Sequence, residues 1–180
     1  SLMRHFRDEQ GGGFNYSPDF GEKLILERKE VYDGAIPSGN SVALANLLKL
    51  ARLTGDAGLE EAAARVAAAF TGHVRQFPSA YCHFLSSVDF LIGPSFEVVI
   101  SGHRNAPDTA EMISALSRNY LPRSVVLMRP SKPEAPGLSE IAPFTAAMEP
   151  LDGRATAYVC TKKSCLEPTT NLGKLMELLS

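Results

Sequence analysis

Three stretches of this sequence bring reactive side-chain types close together. In DGAIPSGNS (33–41) a carboxylate, a proline, an amide and two hydroxyls precede a strongly apolar run. Asp33 can close a turn through its own backbone, and Pro37 fixes the approach. Ser38, Asn40 or Ser41 can cap the helix that follows. CTKKSC (160–165) sets Cys160 and Cys165 five residues apart. That C-x4-C spacing differs from the C-x2-C of a redox helix or a zinc knuckle. Reduced structural thiols are the first reading, with a disulfide or a metal site as alternatives. Lys162 and Lys163 would stabilise a thiolate between them, while a metal would need His103 and Cys82 as distant extra ligands. SGHRNAPDT (101–109) joins an expected strand end to an expected helix start. There Ser101, His103, Arg104 and the helix N-terminus could hold an anion. Ser101, His103 and Asp108 also have the residue types of a hydrolytic triad. Such close chain spacing rarely yields triad geometry, and the nucleophile-elbow pattern is missing.

The totals narrow the classes. The chain has 180 residues, 44% hydrophobic and 21% charged, enough to bury one good core or two small ones. A net charge of −2 advertises no nucleic-acid or anionic-membrane surface. No apolar stretch approaches the roughly 20 residues that would span a bilayer. G-x-G-x-x-G and P-loop patterns are absent, and neither a cofactor nor a resident metal is expected. Three cysteines are too few and too odd for a secreted disulfide scaffold, so a reducing, cytoplasmic setting is the default. Methionine stands third, after Ser1 and Leu2, so the natural chain is expected to begin upstream and this sequence to be an excised piece.

Residues 11–32 read as short extended pieces, Phe14–Tyr16 and Leu24–Leu26, in a hairpin or overlying loop; ERKE (27–30) reads as a solvated face. Residues 41–54 are expected to be a helix with Leu44, Leu47, Leu48 and Ala51 on its stripe. Val42, Ala45, Leu50 and Leu53 would widen its apolar face. A second helix is expected over 59–74 on Leu59, Ala63, Val66, Ala67 and Phe70, and a third over 79–91. At Gly93-Pro94 the grammar changes. FEVVISG (96–102), SVVLMRP (124–130) and ATAYVC (155–160) read as strands; 107–121 and 170–179 read as helices. The expected fold is therefore mixed α and α/β. Residues 1–93 form helical hairpins behind an N-terminal hairpin or loop, and 94–180 form a small α/β layer with a largely parallel sheet.

DGAIPSGNSVALANLLKLARLTGD (33–56), FEVVISG (96–102) and AYVCTKKSCLEPTT (157–170), in that order, resemble the C-terminal part of a thioredoxin-domain-containing family, the YyaL-like group with its spermatogenesis-associated thioredoxin-like relatives. The resemblance spans about residues 11–180. It implies an upstream thioredoxin-like domain, absent here, and an (α/α)6 toroid like that of six-hairpin glycosidases and sugar 2-epimerases. Residues 33–91 would then be the last hairpins of an incomplete ring, with apolar faces that a second copy could cover. The resemblance also places the 33–41 loop at the mouth of the toroid. There Asp33 would serve as acid, base or acceptor, with Ser38, Asn40 and Ser41 binding a carbohydrate-like ligand. A glycosidase would add a second carboxylate, for which Asp89 is the nearest candidate. An epimerase would use a base such as His73 or His83. The first expectation is a piece that is not catalytic alone. The alternatives are a sugar hydrolase or epimerase using Asp33 in the parent, and a thiol module at Cys160 and Cys165 that partners the thioredoxin-like part.

Overall fold

Leu44, Leu47, Leu48 and Ala51 recur at helical spacing, and all four are buried in helix α2 (Gly39–Thr54). Its apolar face is narrower than the sequence suggests, for Val42 and Leu50 are 39% and 47% exposed. The computed structural model describes residues 1–22, 28–131, 137–161 and 164–179. The chain divides into two units, Ser1–Ala51 with Asp56–Ile92, and Arg52–Gly55 with Gly93–Ser180.

The first unit begins with a single turn, α1 (Leu2–His5). After α2, Asp56 caps α3 (Ala57–Gln76) by accepting from the amides of Gly58 and Leu59. Helix α3 buries Ala62, Ala63, Val66, Phe70 and Val74, while Leu59 and Ala67 stay partly exposed. A 3₁₀ turn at Pro78–Ala80 leads into α4 (Cys82–Ile92). Phe70 and Phe84 meet edge to face at 6.2 Å and tie α3 to α4. The N-terminal loop lies against α3: a Cβ on Gly13 would stand 2.9 Å from the Phe70 ring, and Gly13 has φ +75°. The expectation for 11–32 is a hairpin or an overlying loop; in the described residues Phe14 bridges to Arg7, and the Tyr16 amide donates to Arg28 O at 2.9 Å. Leu24–Leu26 and Glu27 lie outside the described residues.

The second unit contains β1 (Phe96–Gly102), α5 (Pro107–Arg118), β2 (Ser124–Pro130), α6 (Leu138–Ile141), β3 (Thr156–Thr161), β4 (Ser164–Cys165) and α7 (Leu172–Leu178). Its sheet runs in the order β2-β1-β3-β4. The β1–α5–β2 crossover makes a parallel pair, Phe96 opposite Ser124 through Gly102 opposite Pro130. The sheet is mixed rather than largely parallel, because β1–β3 and β3–β4 are antiparallel. The chain leaves β2 at its carboxyl end and enters β3 at Thr156, opposite Ser101, where β1 is ending. Because β3 is entered at the end where β1 finishes, it runs antiparallel to β1.

Strand β1 is buried on both faces, which explains its unbroken apolar run. Val98, Ile100, Ala157 and Val159 pack on one face with Met112 and Leu116 of α5 and Leu175 of α7. Val99 and Cys160 pack on the other with Met148, flanked by Leu127 and Tyr158. Gly102 is required by close approach: a Cβ there would lie 2.4 Å from Thr109 Oγ1.

Candidate functional site

The loop before α2 is built from hydrogen bonds that stay within the chain. Ser38 is 7% exposed, and its Oγ accepts from the Ser41 amide at 3.1 Å, which makes it the N-cap of α2. Ser38 Oγ also donates to Ser41 Oγ at 2.9 Å. Asp33 bridges two elements. Oδ1 accepts from the Ser38 amide and Oδ2 from the Phe84 amide, each at 2.9 Å. One carboxylate thus closes the loop and caps the first turn of α4, where the positive end of the helix dipole favours it. The Asp33 amide donates to Ala80 O.

Asn40 is 4% exposed and acts as a staple. Its Oδ1 accepts from the Phe14 amide at 2.7 Å, and its Nδ2 donates to Phe14 O at 2.9 Å and to Glu30 O at 2.8 Å. The side-chain amide meets both backbone groups of Phe14 as a neighbouring strand would. The spacing reads this loop first as a helix entrance, and the resemblance turns Asp33, Ser38, Asn40 and Ser41 toward a ligand in the parent. In the structure their polar atoms are directed into the protein, and Ser41 is wholly buried. Asp89 lies exposed on α4, five residues beyond the Phe84 amide that Asp33 holds. His73 is exposed on α3, and His83 is partly exposed on α4.

The residues of the 101–109 segment diverge. Ser101 Oγ donates to Met148 O at 2.7 Å. Asp108 accepts from the Ala155 amide at 2.7 Å and the Thr109 amide at 2.8 Å. The Ala155 hydrogen bond is the main cause that holds its carboxyl below the usual carboxylate range. His103 Nδ1 meets Ser131 Oγ at 2.8 Å. The triad types are present, yet each has a different partner. Ser131 was not singled out by the sequence, because it follows β2 and lies 28 residues from His103.

Cys160 and Cys165 form a disulfide, which replaces the first reading of reduced thiols. They are direct partners across the β3–β4 hairpin, and the flanking Leu166 amide donates to Val159 O at 2.9 Å. The cysteines therefore occupy a non-hydrogen-bonded pair, the position where antiparallel strands bring side chains closest. Cys160 is 4% exposed, whereas Cys165 is exposed on β4. Lys162 and Lys163 lie outside the described residues. Cys82 is free and exposed. Among the described residues no group of three or more His, Cys, Asp or Glu is placed to hold a metal ion. No helix among them is long and apolar enough to cross a membrane.

No protein-family model matches the chain. It is similar to spermatogenesis-associated protein 20 of Homo sapiens at 33% identity, of Rattus norvegicus at 31% and of Mus musculus at 30%. Each match runs over 175 residues, 97% of this chain and 22% of the relative. The chain is thus similar over nearly its whole length to about a fifth of these larger proteins.

Proposed function

We propose that this chain is a C-terminal piece of a larger protein of the spermatogenesis-associated protein 20 kind, with a reactive group in the Cys160–Cys165 pair that cycles between disulfide and dithiol. The reading is carried by the cross-strand disulfide with one sulfur-bearing residue exposed and the other buried. The resemblance adds a helical toroid that the first unit's helices help to complete. It also adds an upstream thioredoxin-like part, the class of dithiol that such an exchange needs.

The exchange follows from access. A thiolate of an external dithiol attacks Cys165 Sγ and forms a mixed disulfide, and Cys160 leaves as a thiolate that takes up a proton. The second thiol of the reductant then attacks its own sulfur in the mixed disulfide and releases Cys165. Two electrons and two protons pass to the cysteines, and the reductant leaves as its disulfide. Asp33, Ser38, Asn40 and Ser41 enter this account as scaffold, because a carbohydrate-like ligand on that loop would have to replace their internal hydrogen bonds.

The test compares single-cysteine variants on a Cys82→Ser background. Cys160→Ser leaves the exposed thiol and should form a mixed disulfide with oxidised glutathione at least roughly tenfold faster than Cys165→Ser, which leaves the buried one. Equal rates, read by intact mass, would contradict the proposed direction of exchange.

A further inference from the structure

We infer that Ser131 and His103 form a nucleophile–base pair that accepts activated acyl groups, at the carboxyl ends of strands β1 and β2. Ser131 Oγ and His103 Nδ1 stand 2.8 Å apart, within reach for direct proton transfer. Neither residue is placed by chance of side-chain reach. The Ser131 amide donates to Gly102 O at 3.0 Å, which extends the parallel ladder one step past Pro130. The Ala106 amide donates to His103 O at 3.0 Å, which fixes the turn that carries the imidazole. In open α/β sheets the carboxyl ends of parallel strands are where ligands gather.

The surroundings suit a reaction that develops negative charge. By the alternation of a strand, Ser101 and Arg129 share the face that carries Val99 and Leu127, and His103 and Ser131 follow just past the two strand ends. Arg129 stands two residues before Ser131, about 7 Å along the chain. It is 2% exposed, and its Nη2 donates to Ala146 O at 3.1 Å and to Glu149 Oε1 at 3.2 Å. Its Nε and Nη1 have no hydrogen-bond partner among the described residues. The Glu149 carboxylate offsets part of the guanidinium's charge, and the remaining field, weakly screened, favours charge building on an oxygen brought near it.

In the step, Ser131 Oγ bonds to the carbonyl carbon of an ester as its proton passes to His103 Nδ1. The carbon–oxygen bond to the leaving alcohol breaks, and that oxygen takes the proton back from His103. Water then hydrolyses the acyl-serine, with the imidazole accepting the water's proton and returning it to Ser131. The proton acceptor must be neutral imidazole with its hydrogen on Nε2. Asp108 is not a third member, since both its oxygens are held by backbone amides.

The test exposes the folded chain to a fluorophosphonate, in which the serine oxygen displaces fluoride at phosphorus. Peptide mapping should find the adduct on Ser131, and Ser131→Ala should abolish it. His103→Gln should slow labelling about 100-fold with an unchanged circular dichroism spectrum. No adduct on Ser131 of the folded wild-type chain, or wild-type labelling rates in His103→Gln, would overturn the inference and leave the pair as a tie between strand ends.

Discussion

Asp33 shows how a single carboxylate can look catalytic in sequence and be occupied in structure. Its oxygens serve two backbone amides, one five residues away and one 51 residues away. The first partner is legible locally, because an aspartate before Pro-Ser-Gly is expected to close a turn. The second is not, because nothing near Asp33 announces that the start of α4 will fold against it. Hydrogen bonds to a charged group are worth about 1.5–3 kcal/mol. Asp33→Ala should therefore lower unfolding free energy by about 2 kcal/mol in urea titration, and Asp33→Asn by less. Asp8 provides a separate pH signature. Lys29 Nζ donates to it at 2.7 Å, and this bond leads the causes that lower its pKa from 3.8 to about 2. A depressed carboxyl stabilises the fold above its unfolded pKa. That contribution is lost as pH falls from about 4 to about 2, and it is on the order of 2 kcal/mol. Lys29→Met should flatten the acid limb of stability against pH in that window, measured by chemical denaturation at each pH.

Among the elements, helices and strands were legible because their apolar periodicity is strong. The stripe Leu44, Leu47, Leu48 and Ala51 predicts α2, and the run in FEVVISG predicts a strand buried on both faces. Sheet direction was less legible. A crossover helix between β1 and β2 enforces a parallel pair, but the Pro/Gly-bearing sequence between β2 and β3 leaves the return direction open. The disulfide was hidden for a related reason. C-x4-C becomes a favourable pairing only once a tight hairpin sets Cys160 opposite Cys165. Asn40 joins elements that sequence patterns do not link, since Phe14 and Glu30 precede it by 26 and 10 residues. Asn40→Ala would leave the Phe14 amide and two carbonyls without their partner. It should cost about 3 kcal/mol and release the N-terminal loop to early hydrogen exchange.

For the whole molecule, the account separates scaffold from reactive chemistry. The 33–41 loop is part of the first unit's framework, and the disulfide belongs to the sheet of the second. A thermal-shift screen of sugars on this chain should accordingly be flat; a reproducible rise in midpoint that Asn40→Ala or Asp33→Asn removes would restore a ligand role to the loop. The most direct measurement counts thiols by maleimide mass-tagging of the folded protein before and after a dithiol reductant. The account predicts one tag before, on Cys82, and three after, with the disulfide re-forming once an oxidant is supplied and the fold retained throughout. Three tags in fully oxidising buffer, or reduction that occurs only as the chain unfolds, would contradict it.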